Sequence, residues 1–357
     1  MRTILITDKR EIQIEKFTTP KVHNDKILIR TDACAICTWE QRVYTGTHKV
    51  EYPVIAGHEV SGEIVALGKY VNSDEWAIGD KVVVGVTLPC RNCYFCKNNQ
   101  EQYCRTFDGL KLLPGQPHKG TAGFSEYMMA PPNSVFKYKN VTPVEASLSE
   151  PLSCVINSVE AADPQLGEVS VIIGAGTMGL LHLLVCMNKG NACIVIDYNE
   201  ERLLFAKSLG AKVVINPDKE DAKQVVELYT DGLMANNVFD TTPIASVVED
   251  SCQYLANAGK LVIYSGIYPN EPVKLDAHWI HKKGISILGA ANSNDTQFLK
   301  AVSLISNGII DVKPLISGVY SISQAKEAME SACMGDKYRN VIVFNKEAGE
   351  SYVTNTK

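Results

Sequence analysis

Long apolar runs and an excess of basic charge are both missing from this chain of 357 residues. No stretch approaches the roughly 18 apolar residues of a membrane-spanning helix, so we expect no membrane partner. The opening residues, MRTILITD, meet charge too soon for a secretory signal. Charged residues make up only 21% and the formal net charge is −5, which gives no reason to expect nucleic acid as a partner.

Internal repeats and low-complexity segments are also absent, and 45% of the residues are hydrophobic, which suits two domains that each bury a core. Eleven cysteines without a signal peptide fit a reducing compartment, so a cytoplasmic location is expected. Six of these cysteines stand in largely apolar surroundings and are predicted to be buried thiols: Cys34, Cys154, Cys186, Cys193, Cys252 and Cys333.

Four other cysteines are crowded into one short segment: Cys90, Cys93, Cys96 and Cys104. Four thiolates at this spacing are typical of the closed tetrahedral shell of a structural zinc, with Zn–S distances of roughly 2.3 Å. A pair of disulfides is the alternative, but this spacing in an intracellular enzyme favours a metal. The sequence therefore predicts a zinc-binding lobe at about 88–106.

The remaining cysteine, Cys37, forms a second candidate metal site with His58. Cys37 follows one strand-like segment and His58 follows another, at 52–56, so both are expected at strand ends that converge on one cleft. A catalytic zinc usually has three protein ligands and leaves its next position to water or substrate. Glu59 and Glu150 are the carboxylates considered for the rest of the shell, and a hydrogen-bonded core histidine is the alternative for His58.

A glycine motif follows the strand-like segment 169–173 and precedes an apolar helical pattern. Its residues include Gly174, Gly176, Met178 and Gly179. Glycines in this setting allow a tight turn and the close approach of a pyrophosphate to a helix N-terminus. The motif therefore predicts a dinucleotide-binding site.

A second strand-like segment ends at Asp197, about twenty residues further on, as this type of site requires. A carboxylate there accepts hydrogen bonds from the adenosine ribose and repels a 2′-phosphate, which favours NAD over NADP. The alternative is that Asp197 caps the next helix.

The pattern of elements predicts a β-rich first part and an α/β second part. Short strands separated by turns dominate residues 1–155. Strands alternate with helical patterns over 156–293, which indicates a doubly wound parallel sheet with right-handed crossovers. Residues 294–357 begin as a helix and return to a strand near 341–344, and a frayed polar tail is expected after Lys346.

Together these motifs resemble the zinc-containing medium-chain dehydrogenase/reductase family, in the branch of sorbitol (polyol) and threonine dehydrogenases. The likeness covers nearly the whole chain. It implies a GroES-like catalytic barrel at 1–155, a Rossmann NAD-binding domain at 156–293, and a segment at 294–357 that returns to the catalytic domain. It also implies two zinc ions per chain, NAD(H), a small-molecule alcohol or ketone as substrate, and a homotetramer or homodimer.

The resemblance also implies roles for individual residues. Cys37, His58 and Glu150 become catalytic zinc ligands, with Glu59 binding directly or exchanging with water. Arg202 flanks the adenosine. The nicotinamide site is lined by Ser265, Gly266, Ile267, Ala290 and Ala291.

One departure from the family pattern concerns the proton relay. Members of this branch typically carry a hydroxyl two residues after the zinc cysteine and often a histidine three residues beyond it, whereas this chain has Trp39 and Arg42. An indole has no acidic proton to relay. Thr38 is the nearest hydroxyl and Glu40 the nearest carboxylate, but a shift of one residue along a strand would point the side chain to the opposite face. The expected proton path is therefore either Thr38 in a shifted local backbone or direct exchange with water through Glu59 or Glu150.

The predicted reaction is the oxidation of a secondary alcohol, such as a polyol, a sugar alcohol or its phosphate, to a ketone, or the reverse. One alternative is an NADH-dependent reductase of a bulky cyclic, steroid-like ketone, for which Trp39 would suit an enlarged apolar pocket. The other is a non-catalytic homologue that binds NAD and zinc.

Overall fold

The computed structural model describes residues 1–85, 89–345, 348, 349 and 352. The chain divides into two compact units, Met1–Ser153 with Ser293–Lys357 and Cys154–Asn292. The chain passes from one unit to the other after residues 153 and 292, whereas the sequence predicts these boundaries after 155 and 293. The prediction for the tail after Lys346 falls largely outside the described residues. In the part of the chain that is described, no helix is long and apolar enough to cross a membrane.

The strands, in chain order, are β1 (Arg2–Asp8), β2 (Glu11–Lys16), β3 (Ile27–Ala35), β4 (Glu59–Leu67), β5 (Lys81–Val84), β6 (Tyr127–Ala130), β7 (Val135–Lys137), β8 (Val169–Ile173), β9 (Ala192–Ile196), β10 (Val213–Ile215), β11 (Ala235–Asp240), β12 (Leu255–Ile263), β13 (Ser286–Gly289), β14 (Ile316–Ser321) and β15 (Arg339–Val343).

The helices are α1 (Thr38–Thr45), α2 (Tyr94–Lys97), α3 (Pro143–Ala146), α4 (Ser149–Ala162), α5 (Thr177–Asn188), α6 (Glu200–Ser208), α7 (Ala222–Tyr229), α8 (Ala245–Ser251), α9 (Ala277–Lys283), α10 (Asp295–Ser306) and α11 (Ala325–Cys333). Short 3₁₀ turns occupy Glu101–Tyr103, Pro132–Ser134, Cys252–Tyr254, Lys313–Leu315 and Ile322–Gln324.

The first unit is organised by a seven-stranded sheet in the order β14-β15-β3-β4-β5-β7, with β6 also paired to β3. Its long central strand β3 is antiparallel to both β4 and β15. Two of these strands come from the first part of the chain and one from its end, so the C-terminal segment completes the first unit. The apolar core includes the fully buried Ile27, Ile29 and Phe124.

The second unit contains a six-stranded parallel sheet in the order β10-β9-β8-β11-β12-β13. This order places the first strand of the unit in the centre and lets the chain wind outward in both directions, which is the Rossmann arrangement. The prediction of a doubly wound sheet is confirmed. Ligands of such sheets bind beyond the carboxyl ends of the strands, next to the point where the winding reverses. Here that point lies between β8 and β11.

The predicted buried thiols divide into two groups. Cys34, Cys154, Cys186 and Cys193 are buried, as expected. The prediction is wrong for Cys252 and Cys333, which are partly exposed. Cys252 opens the 3₁₀ turn after α8 and Cys333 ends α11, and an element end covers a side chain less completely than the middle of a sheet or helix.

Candidate metal and dinucleotide sites

Strand pairing brings the candidate metal ligands of the first unit together. In the antiparallel pairing of β3 with β4, Ala35 lies opposite Glu59. In the pairing of β3 with β15, the same Ala35 lies opposite Val341. Cys37 therefore begins its helix just beyond the end of β3, beside the start of β4 and the start of β15.

The local structure around both ligands differs from the sequence prediction. Cys37 is the N-cap of helix α1, so the prediction of a strand after Cys37 is wrong. Residues 52–56 form no strand, since only Val54 and Ile55 make isolated bridges. His58 consequently precedes strand β4 and does not follow a strand. The two side chains still converge because the register of β3 and β4 aligns the segments that carry them.

Cys37, His58 and Glu59 place one potential ligand atom each within 4.8 Å of one another. Glu150, the fourth residue assigned to this shell, is not part of that group. It is 6% exposed in the first turn of α4, and its negative charge contributes to raising the pKa of Glu59. The structure thus brings together three of the four predicted ligands.

The Glu40 carboxylate fixes both the cysteine and the histidine of this group. It is completely buried, and its Oε2 accepts a hydrogen bond of 3.0 Å from the Cys37 backbone N–H. Its Oε1 lies 2.7 Å from His58 Nδ1 and accepts a bond of 3.0 Å from the Gly57 backbone N–H. A hydrogen bond at Nδ1 leaves Nε2 as the free ligand nitrogen and fixes the ring orientation.

Gly57 has a backbone conformation that other residues rarely adopt, with φ of 87°. A Cβ at this position would lie 2.5 Å from Phe124 Cδ1 and 2.9 Å from Cys34 Sγ. The glycine therefore allows the chain to pass close to the core and present its N–H to Glu40.

Neighbouring side chains favour the binding of a proton to the His58 ring. Burial opposes the charged form, but the Glu40 carboxylate and the Cys37 side chain outweigh it and hold the pKa of His58 well above its usual range. A bound metal would take the place of that proton, because a metal ligand must be the neutral imidazole.

Arg339 provides the matching positive charge from the end of the chain. It is 3% exposed on β15, and its Nη2 lies 2.7 Å from Glu59 Oε1 and 3.8 Å from Cys37 Sγ. Burial raises the pKa of Glu59 to about 7, and Arg339 opposes this rise. Glu59 Oε2 is buried and has no hydrogen-bond partner among the described residues.

These features fit a catalytic zinc. Thiolate, imidazole and carboxylate are the ligand types that zinc uses in catalytic sites with three protein ligands. The carboxylate that supports His58 through its second nitrogen is the usual outer partner of such a ligand. A buried carboxylate oxygen without a partner among the described residues suits a position at or beside the metal.

The three residues that follow Cys37 have different surroundings. The Trp39 ring is half-buried, and its centroid lies 6.0 Å from that of His58 in an edge-to-face arrangement. On another side, the same ring lies 5.9 Å from His48. Thr38 is exposed in the first turn of α1, and Glu40 is fully engaged with His58, Cys37 and Gly57.

The four cysteines of the predicted lobe come together as a second cluster, and their sulfur atoms lie within 4.8 Å of one another. The Cys93–Cys96 and Cys90–Cys96 sulfur distances are 3.5 and 4.0 Å. Tetrahedral Zn–S bonds of about 2.3 Å give S···S distances of about 3.8 Å, so the cluster fits a structural zinc. The lobe limits of 88–106 include Leu88, which lies outside the described residues.

Backbone N–H groups favour the thiolate form of Cys104 in this lobe. The Cys90 N–H donates to Cys104 Sγ at 3.3 Å, and the Cys93 N–H donates to Cys90 Sγ at 3.4 Å. Although burial opposes ionisation, the bonds from Cys90 and Thr106 lower the pKa of Cys104 to about 6. Zinc binds the deprotonated thiol, so this preorganisation suits a metal.

The glycine motif forms the predicted turn between β8 and α5. Gly174 has φ of 96°, and a Cβ on Gly179 would collide with the Gly174 carbonyl oxygen, so both positions require glycine. Gly176, the N-cap of α5, faces open space within the described structure. The start of this helix, with its backbone N–H groups and the positive end of the helix dipole, fits the pyrophosphate of a dinucleotide.

Asp197 follows β9 and holds the glycine turn. Its Oδ2 accepts a 2.6 Å hydrogen bond from the Ala175 N–H, and its Oδ1 accepts a 2.8 Å bond from the Asn199 N–H. The alternative of Asp197 as a helix cap is wrong, because Asn199 caps α6 by accepting from the Arg202 N–H. Asp197 thus stands beside the turn at the carboxyl edge of the sheet, where ribose recognition requires a carboxylate.

The other predicted cofactor residues occupy the same edge of this unit. Arg202 is half-buried in the first turn of α6. Ser265, Gly266 and Ile267 follow the end of β12 at Ile263. Ala290 and Ala291 follow β13, where Asn157 Nδ2 donates to the Ala291 carbonyl at 3.4 Å.

Sequence reasoning missed the roles of Glu40 and Arg339. Glu40 was considered only as a proton carrier, although a carboxylate three residues after a helix-capping cysteine is itself a sign of a capping interaction. Arg339 gave no signal, because about 300 residues separate it from Cys37 and only strand pairing brings the two together.

Comparisons with known proteins agree with this arrangement. Residues 23–140 match the family model of the alcohol dehydrogenase GroES-like domain, and residues 177–307 match that of zinc-binding dehydrogenases. The chain is 29% identical to D-arabinitol dehydrogenase 1 of Uromyces fabae, over 92% of this chain and 93% of that protein. It is 30% identical to L-threonine 3-dehydrogenase of Pyrococcus furiosus, over 89% of this chain and 91% of the relative.

A solved structure shares the fold. Galactitol-1-phosphate dehydrogenase from Escherichia coli superposes with a TM-score of 0.86 and covers 96% of this chain and 100% of its own, at 22% identity.

We expect the purified protein to contain about two zinc ions per chain. Cys93→Ser should remove the lobe zinc and Cys37→Ser the other, and elemental analysis after desalting measures both. Cys252→Ser is the control, because this partly exposed thiol lies outside both clusters. A wild-type protein with one zinc that disappears with Cys93→Ser would contradict the catalytic metal site.

Glu40→Gln should weaken binding of the catalytic zinc by about 10–100-fold, because the amide offers a donor where Cys37 N–H or His58 Nδ1 needs an acceptor. Competition with a chromophoric chelator measures the affinity. Gln41→Ala, at the neighbouring half-buried position of α1, should leave it within about twofold. Equal affinity in Glu40→Gln and the wild type would exclude the positioning role.

Proposed function

We propose that this chain, which belongs to the zinc-containing medium-chain dehydrogenase/reductase family, oxidises a secondary hydroxyl group of a polyol or sugar alcohol to a ketone, or catalyses the reverse reduction. Its family makes it a zinc-dependent alcohol dehydrogenase that uses NAD(H). The observation that carries the proposal is the convergence of Cys37, His58 and Glu59, supported by the buried Glu40.

The polyol assignment is supported by the relatives and by one side chain. D-arabinitol dehydrogenase 1 aligns with this chain over nearly its whole length. Trp39 offers a half-buried ring beside His58, and an aromatic face of this kind packs well against the carbon face of a sugar or polyol.

The chain's own residues prepare the reaction centre. When bound, zinc polarises the substrate oxygen and NAD accepts the hydride. Cys37 and His58 would hold the metal, and Glu59 would lie beside it. Glu150 is proposed as a further carboxylate ligand. Glu40 keeps the His58 ring in one orientation through the 2.7 Å contact at Nδ1. Arg339 balances the negative charge of Glu59 at 2.7 Å.

Two groups are proposed to carry the substrate proton. Thr38 is exposed in the first turn of α1 and can exchange a proton with solvent. Glu59 offers its buried Oε2, which has no hydrogen-bond partner within the described ranges of the chain. Trp39 takes no part in the transfer because its N–H is a donor only.

The cofactor assignment is NAD, bound at the carboxyl edge of the parallel sheet. The turn at Gly174, Gly176, Met178 and Gly179 is proposed to hold the pyrophosphate. Asp197 is proposed to accept the ribose hydroxyls, while its bond to Ala175 N–H keeps it against the turn. Arg202 is proposed to flank the adenosine, and the segments that follow β12 and β13 are proposed to line the nicotinamide.

We also propose a cytoplasmic homodimer or homotetramer. The cytoplasmic location is supported by the cysteines, since all eleven are described and none forms a disulfide. The oligomeric state rests on resemblance to the family, and sedimentation of the zinc-loaded protein measures it.

The substrate proposal predicts NADH formation with polyols such as arabinitol and sorbitol, and its loss with a zinc chelator. The test panel adds polyol phosphates, threonine, simple secondary alcohols and steroidal ketones. The change in NADH absorbance measures turnover. Chelator-sensitive turnover confined to threonine or to steroidal ketones would replace the polyol assignment. Absence of turnover on the whole panel, in a protein that binds NADH and two zinc ions, would contradict it.

Asp197→Ala should narrow the preference for NAD over NADP, because it removes the carboxylate that would repel a 2′-phosphate. The ratio of kcat/KM for the two cofactors measures this preference, which we expect to fall by about tenfold or more. Glu201→Ala, an exposed acid on α6, is the control and should leave the ratio within about twofold. An unchanged ratio in Asp197→Ala would refute the ribose assignment.

A further inference from the structure

A single histidine lies inside the apolar helix that carries the glycine motif. His182 is completely buried in α5, where its sequence neighbours Leu180, Leu181 and Leu183 are also fully buried. Burying an imidazole in such surroundings costs free energy unless both ring nitrogens find partners. A leucine at this position would fill the space without that cost, so the contacts of the ring indicate its role.

Both nitrogens of His182 have a partner. Nδ1 lies 2.7 Å from the Met178 carbonyl oxygen, and Nε2 lies 2.8 Å from Ser158 Oγ. A carbonyl oxygen only accepts hydrogen bonds, so Nδ1 carries the proton and Nε2 accepts from the Ser158 hydroxyl. Burial lowers the pKa of His182 to about 4, which agrees with a neutral ring.

The first partner belongs to the dinucleotide-binding turn. Met178 stands inside the glycine motif, between Gly176 and Gly179, in the first turn of α5. The backbone N–H groups of this turn are the donors proposed for the pyrophosphate. The hydrogen bond from His182 Nδ1 therefore connects the imidazole to the first turn of α5 through the Met178 carbonyl group.

Two aromatic rings lie beside the His182 ring, one on β11 and one directly after β12. The Tyr264 ring lies 4.7 Å from that of His182 in an edge-to-face arrangement. Tyr264 is the residue between the end of β12 and Ser265. The Phe239 ring, fully buried on β11, lies 5.2 Å away.

We propose that His182 is a positioning residue for the dinucleotide, which fixes the pyrophosphate turn relative to the segment that lines the nicotinamide. The inference rests on the proposed cofactor residues Met178 and Ser265. The imidazole donates to the turn through one nitrogen, is oriented by Ser158 through the other, and packs against Tyr264. A ring held by two directional bonds transmits position more accurately than an aliphatic side chain, which has no preferred orientation in an apolar pocket.

The test compares His182→Leu with Leu181→Ala in the zinc-loaded, full-length protein. Titration calorimetry with NADH gives Kd, steady-state kinetics give KM for NAD and kcat, and thermal unfolding gives Tm. We expect His182→Leu to raise the Kd and the KM by about tenfold and to change kcat at saturating NAD by less than about twofold. Leu181→Ala removes buried apolar atoms from the same helix, so it should lower Tm but leave the Kd within about twofold.

Two further variants test the two hydrogen bonds of His182 separately. His182→Asn retains a donor near the Nδ1 position and should recover most of the NADH affinity, whereas His182→Gln places its amide nearer Ser158 and should not. If His182→Leu fails to fold, the comparison of Asn with Gln provides the test. Equal affinity in the two variants, or a Kd in His182→Leu no weaker than in Leu181→Ala, would overturn the inference.

Asp197→Ala in the same calorimetric series distinguishes this inference from the cofactor assignment on which it depends. If Asp197→Ala weakens NADH binding and the His182 variants do not, the positioning role alone is wrong. If none of these variants changes the Kd, NADH binds elsewhere and the assignment of the turn fails as well.

Discussion

The register of strand β3 against its two antiparallel neighbours is the constraint on which the metal site depends. Ala35 faces Glu59 on one side and Val341 on the other, so three distant parts of the chain meet where β3 ends. A slip of one residue in either pairing would turn Glu59 or Arg339 to the opposite face of the sheet. The buried ion pair between them and the position of Cys37 would then be lost together, because each relies on the same alignment.

The buried Glu40 carboxylate connects this alignment to the chemistry. A charged group without solvent is costly, and here it is satisfied by two backbone N–H groups and an imidazole. The same contacts start helix α1 at Cys37, hold the backbone at Gly57 and orient His58. The same carboxylate therefore determines both the local fold and the orientation of the metal ligand.

In the second unit, the parallel sheet brings the candidate cofactor residues together. Its strands all end at one edge, so the glycine turn, Asp197 and the segments after β12 and β13 occupy that edge even though they are far apart in sequence. Asp197 and His182 hold the turn from two directions, one through Ala175 and the other through Met178. In the proposed cofactor site, backbone groups would contact the dinucleotide, and the side chains of Asp197 and His182 hold these groups in position.

The sequence by itself determined the features whose signals are local. The four-cysteine spacing, the glycine motif with Asp197, and the alternation of strands and helices each depend on a few neighbouring residues, and each predicted its element. Only the tertiary structure decided what depends on pairing between distant segments. Arg339 lies about 300 residues from Cys37 and Tyr264 about 80 from His182, so neither contact leaves a local pattern. The positions of Glu150 and Trp39 were decided in the same way, because the direction of a side chain depends on whether its segment folds as helix or strand.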